Sequence, residues 1–267
     1  MVILLHLAAA LLYALAAFFF WQADADATSA RRRAARIIVP VALVFHGFAI
    51  TLAVATPDGL DLSFANALSL VAGLVVLVAW AARLLTLLPA LPAMLLPVAA
   101  GCALLPATVQ SPHRFPYADE PWAAIHISVA LLAYASFVVA ALEALVLTGL
   151  EKNLHRAAAA AVTGGTLPLL TLERYLFRLI TVGFVLLSLT LASGFLFSEQ
   201  LFGRPVQFTH KNVFSVAGWV VFATLLWGRW RYGWRGRTAL KWILGGTLLL
   251  ILGYLGSKFV VEVLLRR

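Results

Sequence analysis

Apolar residues run along this chain in stretches of about twenty positions, broken by short clusters of charged residues, proline and glycine. A helix of about twenty apolar residues crosses the hydrocarbon core of a bilayer. The pattern predicts eight such helices, at roughly 2–22, 37–56, 64–82, 87–106, 122–149, 177–198, 212–228 and 239–262. No repeat period stands out, and no polar linker is long enough to separate two soluble domains. The expected fold is all-α: a single eight-span integral membrane domain over residues 1–267.

Composition agrees with the pattern. The chain is 63% hydrophobic and 12% charged, against about 45–50% and about 25% in a soluble domain. The first apolar run has its basic residues after it rather than before it, so it reads as a span and not as a signal peptide.

The net charge of +9 would suggest nucleic acid in a soluble protein. Here the basic residues sit in short loops on alternate sides. "RRRAAR" follows span 1 and Arg83 follows span 3; Lys152, Arg156, Arg174 and Arg178 lie between spans 5 and 6, and "RWRYGWRGRTALK" follows span 7. These loops hold 14 of the 20 Lys and Arg, and the other side holds Arg114, Arg204, Lys211, Lys258, Arg266 and Arg267. The positive-inside rule accounts for this bias better than a nucleic-acid partner does, and no nucleic-acid partner is expected. It predicts a bacterial inner (plasma) membrane protein with both termini in the periplasm.

Local signals refine this picture. Span 4 carries Pro89, Pro92, Pro97 and Pro106; interior prolines remove backbone hydrogen bonds and bend a helix, so this span is expected to pack within protein. "TPDGLDLS" is a short acidic outer loop, and "TVQSPHRFPYADEPW" is a longer, aromatic one. Gly246, Gly253 and Gly256 give a small-residue spacing that marks close helix packing. "WGRWRYGWRGR" reads as an interfacial aromatic belt with positive charges, with binding of an anionic group as the alternative.

Candidate chemistry is sparse. Cys102 is the only cysteine, which rules out an internal disulfide, a CxxC pair and a CxxCH haem attachment. HExxH, P-loop, GxSxG and zinc spacings are missing, so no hydrolase or nucleotide-driven activity has a motif behind it. Glu143 is the one carboxylate well inside a span, about 25 Å along the helix from His126, and reads as a snorkelling or locally paired residue. Of six histidines, His6, His126, His113 and His210 fall toward the outer side, His46 lies near the middle of span 2 and His155 in an inner loop. An imidazole inside a membrane either bridges helices through hydrogen bonds or serves as a ligand. Haem iron needs one or two such nitrogens. His126, His46 and His210 are candidates, with Arg114, Arg204 and Lys211 as cations on the same outer side.

Several pieces in order carry a resemblance. They are "HGFAI" in span 2, "HISVALLAYASFVVAALEAL" in span 5, "LPLLTLERYLFRLITVGFVLLSLTLASGFLF" into span 6, "HKNVFSVAGWVVFATLLWGRWRYGWRGR" across span 7 and "GYLGSKFV" in span 8. Together they resemble the cytochrome c assembly protein family, the CcsA/CcmC/HemX group, and within it the YpjD-like inner-membrane proteins. The resemblance covers most of the chain and is strongest from about 120 to 260. It implies an eight-span protein that handles haem, of the b type, in cytochrome c biogenesis, with apocytochrome c and other maturation proteins as partners. It implies that His126, which matches the histidine of the family's "H…SYA" motif, is an external haem ligand, with Tyr134 in the tyrosine position. His46 or His210 would be the second ligand, and the sequence leaves that choice open. Arg204 and Lys211 would pair the propionates.

The sequence also departs from the family. A tryptophan-rich WWD segment is replaced by "SEQLFGRPVQFTHKN", an external histidine after the last span is missing, and the inner end of span 7 carries Arg229 to Arg231 where a histidine is expected. These departures set the chain apart from relatives with full haem-ligase activity. Two rival readings remain: a non-enzymatic scaffold or HemX-like regulator of haem synthesis that binds a partner protein, and a small-molecule transporter.

Overall fold

The computed structural model describes residues 2–22, 30–56, 59–88, 90–109, 114–115, 121–157, 169–196 and 210–260. It is an all-α membrane protein whose helices include eight long and apolar enough to cross a bilayer. The elements in chain order are α1 (Val2–Gln22), α2 (Ala30–Val54), β1 (Ala55–Thr56), β2 (Gly59–Asp61), α3 (Phe64–Ala81), α4 (Leu84–Leu87), α5 (Ala90–Thr108), β3 (Arg114–Phe115), α6 (Pro121–Ala157), α7 (Leu169–Leu196), α8 (His210–Tyr232) and α9 (Gly236–Ile251). A π-helical segment, Leu252–Gly256, continues α9.

The helices fall into two compact units, Met1–Ile125 with Leu255–Arg267, and His126–Tyr254. In the first unit α1 packs on α2 and α5, and α3 on α2 and α5. Small residues make these approaches possible. The buried stripe of α2 runs Ala35, Val39, Ala42, His46, Ala49, which is the three-and-four spacing of one helix face. Its opposite positions, Ile37, Val44 and Phe48, are exposed apolar side chains suited to lipid. Pro97 and Pro106 lie inside α5 as expected, whereas the chain breaks before Ala90 and leaves Pro92 in the first turn, where the missing N–H costs nothing.

The segment around the acidic 56–63 stretch carries short strands rather than a simple connection. β1 and β2 form an antiparallel hairpin, pairing Ala55 with Leu60 and Thr56 with Gly59, and β3 adds through Leu60–Phe115 and Asp61–Arg114. The turn needs Gly59 at φ 120°, a left-handed value that a side chain disfavours. Asp61 Oδ1 accepts from the Ser63 N–H at 3.0 Å and so steadies the start of α3.

In the second unit α6 is the central helix: 67% of its span is buried, against 17% for α7. Phe137 is fully buried and stacks on Phe222 of α8 with ring centroids 3.8 Å apart. Its carbonyl accepts from Thr247 Oγ1 of α9 at 3.3 Å, and a Cβ at Gly183 of α7 would stand 3.2 Å from its ring. The close packing expected from the glycine spacing is present between α8 and α9. A Cβ at Gly246 would lie 2.8 Å from Phe222, one at Gly253 2.8 Å from Phe214, and one at Gly218 2.7 Å from Leu250.

Candidate functional site

His126 stands near the start of α6, half-buried, with Nδ1 2.8 Å from Ser193 Oγ near the end of α7. The Ser193 hydroxyl donates its one proton to the Thr190 carbonyl at 3.1 Å. In that arrangement its oxygen accepts from His126 Nδ1–H, and the imidazole lone pair is on Nε2. Gly194 keeps α7 low beside the ring, since a Cβ there would lie 3.4 Å from His126 Cε1.

Four more side chains of the second unit continue from this point. Lys211, in the first turn of α8, lies within electrostatic reach of His126. Its ammonium sits 5.3 Å from the ring centroid of Tyr254, a cation–π distance. Tyr254 lies in the π-helical segment, and its ring is 5.7 Å from that of Tyr134, whose hydroxyl is 3.5 Å from Ser215 Oγ. Tyr134 is buried, two helical turns from His126 on the same helix. The result is one polar and aromatic lining made by α6, α8 and the end of α9.

His210 is the first residue of α8 and is exposed beside Lys211. Arg204 lies outside the described residues. His46 belongs to the first unit. Its Nε2 is 2.9 Å from Ser69 Oγ and its Nδ1 3.2 Å from the Tyr13 hydroxyl, so it ties α2 to α3 and α1. It is 1% exposed, and Gly73 makes room for it, since a Cβ there would stand 3.1 Å from its ring. Iron ligation by His46 would require giving up one of these bonds. His6 is equally buried, within electrostatic reach of His46; it approaches the Ala103 backbone without a hydrogen bond of acceptable geometry to either ring nitrogen.

Glu143 neither snorkels nor pairs locally. It is 0% exposed and neither carboxylate oxygen has a hydrogen-bond partner among the described residues. Ser193, Ser215 and Tyr254 were missed by sequence reasoning. Tyr254 had a signal in "GYLG"; the serines had none, because their partners are 67 and 81 residues away.

Among the described residues no three His, Cys, Asp or Glu side chains converge to hold a bare metal ion. Haem iron is held by its porphyrin and asks the protein for one or two axial donors. One oriented imidazole with an ammonium in reach fits that requirement on one side of the porphyrin.

The sequence matches the family described as "Cytochrome C assembly protein" over residues 3–265. It is similar to Inner membrane protein YpjD of Escherichia coli (strain K12), 32% identical over 240 residues that cover 87% of this chain and 88% of that protein. It is similar to Cytochrome c biogenesis protein CcsA of Prochlorococcus marinus (strain AS9601), 28% identical over 191 residues that cover 64% of this chain and 62% of that one. A third relative, an uncharacterized 28.8 kDa protein of Azospirillum brasilense, is 34% identical over 144 residues, 54% of this chain and 53% of that protein. No solved structure matches.

Proposed function

The chain belongs to the cytochrome c assembly protein family, and from that premise we propose that it binds or handles haem b in the inner membrane in support of cytochrome c assembly. The observation that carries this reading is the His126–Ser193 pair at 2.8 Å. Metal-bound histidines are held in this way, with the non-ligating ring nitrogen donating to a fixed acceptor. His126 would hold the haem iron through Nε2, Lys211 would pair a propionate, and Arg204 is the second cation proposed for that task. Tyr134 and Tyr254 form the apolar wall with a polar edge.

His210 is the preferred second ligand, because it shares a unit with His126 and starts the helix that carries Lys211. His46 is the alternative, at the expense of its bond to Tyr13 or Ser69. When bound, haem supplies the iron and the vinyl groups that a cytochrome needs; the chain's part is to hold, orient and present it. Apocytochrome c and other maturation proteins are the proposed partners. The basic loops face the cytoplasm, and both termini face the periplasm.

The test is an optical spectrum of the detergent-purified protein, wild type beside His126→Ala, with and without added haemin. A sharp Soret band that is lost or shifted in the variant is expected. A wild type with no specific haem absorbance even after haemin is added would overturn the reading and leave a scaffold or regulator of haem synthesis in its place.

A further inference from the structure

The run "WGRWRYGWRGR" plays no part in haem handling as proposed. It forms the end of α8, a turn and the start of α9. The turn is held by Gly233 at φ 68°, whose N–H bonds to the Arg229 carbonyl at 3.1 Å, an αL helix cap. Trp234 folds back over Gly228, where a Cβ would stand 2.3 Å from its ring, and stacks on Trp242 with centroids 5.5 Å apart. Trp227 and Trp230 are exposed. Such a tryptophan cluster marks the headgroup level of a bilayer.

Beside this turn α6, α7 and α9 line a partly open cavity of about 190 Å³, with Arg235 exposed at its edge. Leu147, Leu176 and Ala239 give it an apolar wall, and Thr148, Glu173 and Arg235 a polar one. Its charge balance is uneven. Glu173 is paired with Arg229 at 2.8 Å. Arg229 also donates to the Trp234 carbonyl at 3.2 Å and lies 4.4 Å over the Phe177 ring, so its charge is committed. Arg235 has no hydrogen bond or ion pair among the described residues, and at the N-cap of α9 its side chain caps nothing. Arg237 and Lys241 on the next turns are exposed. Among the described residues the cavity is therefore left with one uncommitted cation, Arg235, and no uncommitted acid.

Size narrows the occupant. Pockets for drug-sized ligands run about 300–1,000 Å³, so the cavity is smaller than a usual pocket of that kind. A water occupies about 30 Å³, so it is large for a single solvent molecule or ion. We propose that this cavity binds the headgroup of an anionic phospholipid of the adjoining leaflet, with Arg235 pairing the phosphate. Thr148 and the first N–H groups of α9 supply hydrogen bonds, and the apolar wall receives the start of an acyl chain. Phosphatidylglycerol fits better than phosphatidylethanolamine, because the ammonium of the latter would meet Arg235 and a Glu173 already paired.

The experiment is native mass spectrometry of the full chain released from bilayers of equal phosphatidylglycerol and phosphatidylethanolamine, reading the lipid retained per chain. Wild type is expected to retain phosphatidylglycerol preferentially, and Arg235→Gln to lower that retention about fivefold, the weight of one basic residue at an anionic surface. Glu173→Gln should raise it, because Arg229 is then released, a gain that a purely structural role does not produce. Arg31→Gln, at the start of α2, should leave it unchanged. Equal retention of both lipids, or no response to either Arg235→Gln or Glu173→Gln, would overturn the proposal. Displacement of the lipid by millimolar glycerol phosphate would also overturn it, in favour of a soluble phosphate ligand.

Discussion

The imidazole of His126 meets the hydroxyl of Ser193 at 2.8 Å, joining the beginning of α6 to the end of α7. The bond fixes the ring orientation, and with the Ser193 proton on Thr190 it also favours the tautomer protonated at Nδ1. Ser193→Ala removes that control and leaves the ring in place. Haemin titration of the purified variant should show affinity reduced by about 10- to 100-fold, the usual effect of losing a partner that orients a ligand. Ser193→Thr should restore most of it. Unchanged affinity in Ser193→Ala would dissociate His126 from haem.

His46 makes a different prediction. Its two hydrogen bonds hold three helices of the first unit together. His46→Ala leaves two buried hydroxyls, each costing about 1–3 kcal/mol when unsatisfied. Thermal unfolding in detergent should show a clear fall in midpoint, while the Soret band assigned to His126 persists. Loss of that band with the midpoint unchanged would make His46 the second ligand.

The α8–α9 contact offers a paired test. Gly246→Ala and Gly253→Ala both force a Cβ to within 2.8 Å of a phenylalanine, and overpacking of this kind costs about 1–3 kcal/mol. Both should lower the unfolding midpoint. Only Gly253→Ala should also weaken haem retention, because Gly253 adjoins Tyr254 and its new Cβ would stand 3.5 Å from the Lys211 carbonyl.

Glu143 should be dispensable for stability. An acidic side chain buried without a hydrogen bond carries a desolvation cost and returns nothing for it. Glu143→Met is expected to keep or raise the unfolding midpoint. A fall in midpoint would mean that the carboxyl has a partner in the membrane-embedded protein.

Sidedness is open to direct measurement. Phosphatase fusions that are active only in the periplasm should report activity at both termini and none at the α8–α9 turn, residues 233–235. The reverse pattern would invert the topology drawn from the basic residues.

All eight spans were legible in the sequence, because an uninterrupted apolar run has few alternatives to a membrane helix. Their ends were less so. α2 begins at Ala30 and α7 at Leu169, each about two turns before the predicted span, because a helix continues into the headgroup region where polar residues are welcome. The β1–β2–β3 pairing was missed; segments of two and three residues give no periodicity, and β3 comes from a loop over fifty residues later. Within the candidate site, His126 and Tyr134 were visible as rare polar residues in an apolar helix, and Lys211 as a cation at a helix start. What oriented them was not visible, because serine is common in membrane helices and only the packing of α6 against α7 and α8 selects Ser193 and Ser215. Likewise the sequence shows His46 but not that Tyr13 and Ser69 converge on it from two other helices.

The convergence at His46 has one more consequence. A neutral imidazole bears a proton on one nitrogen and a lone pair on the other, and a hydroxyl answers either. If Nδ1 carries the proton, Tyr13 accepts and Ser69 donates; if Nε2 carries it, both hydroxyls reverse. The same heavy atoms therefore accommodate two proton arrangements. The polar bridge from α1 through α2 to α3 therefore holds whichever nitrogen carries the proton, with no helix moving.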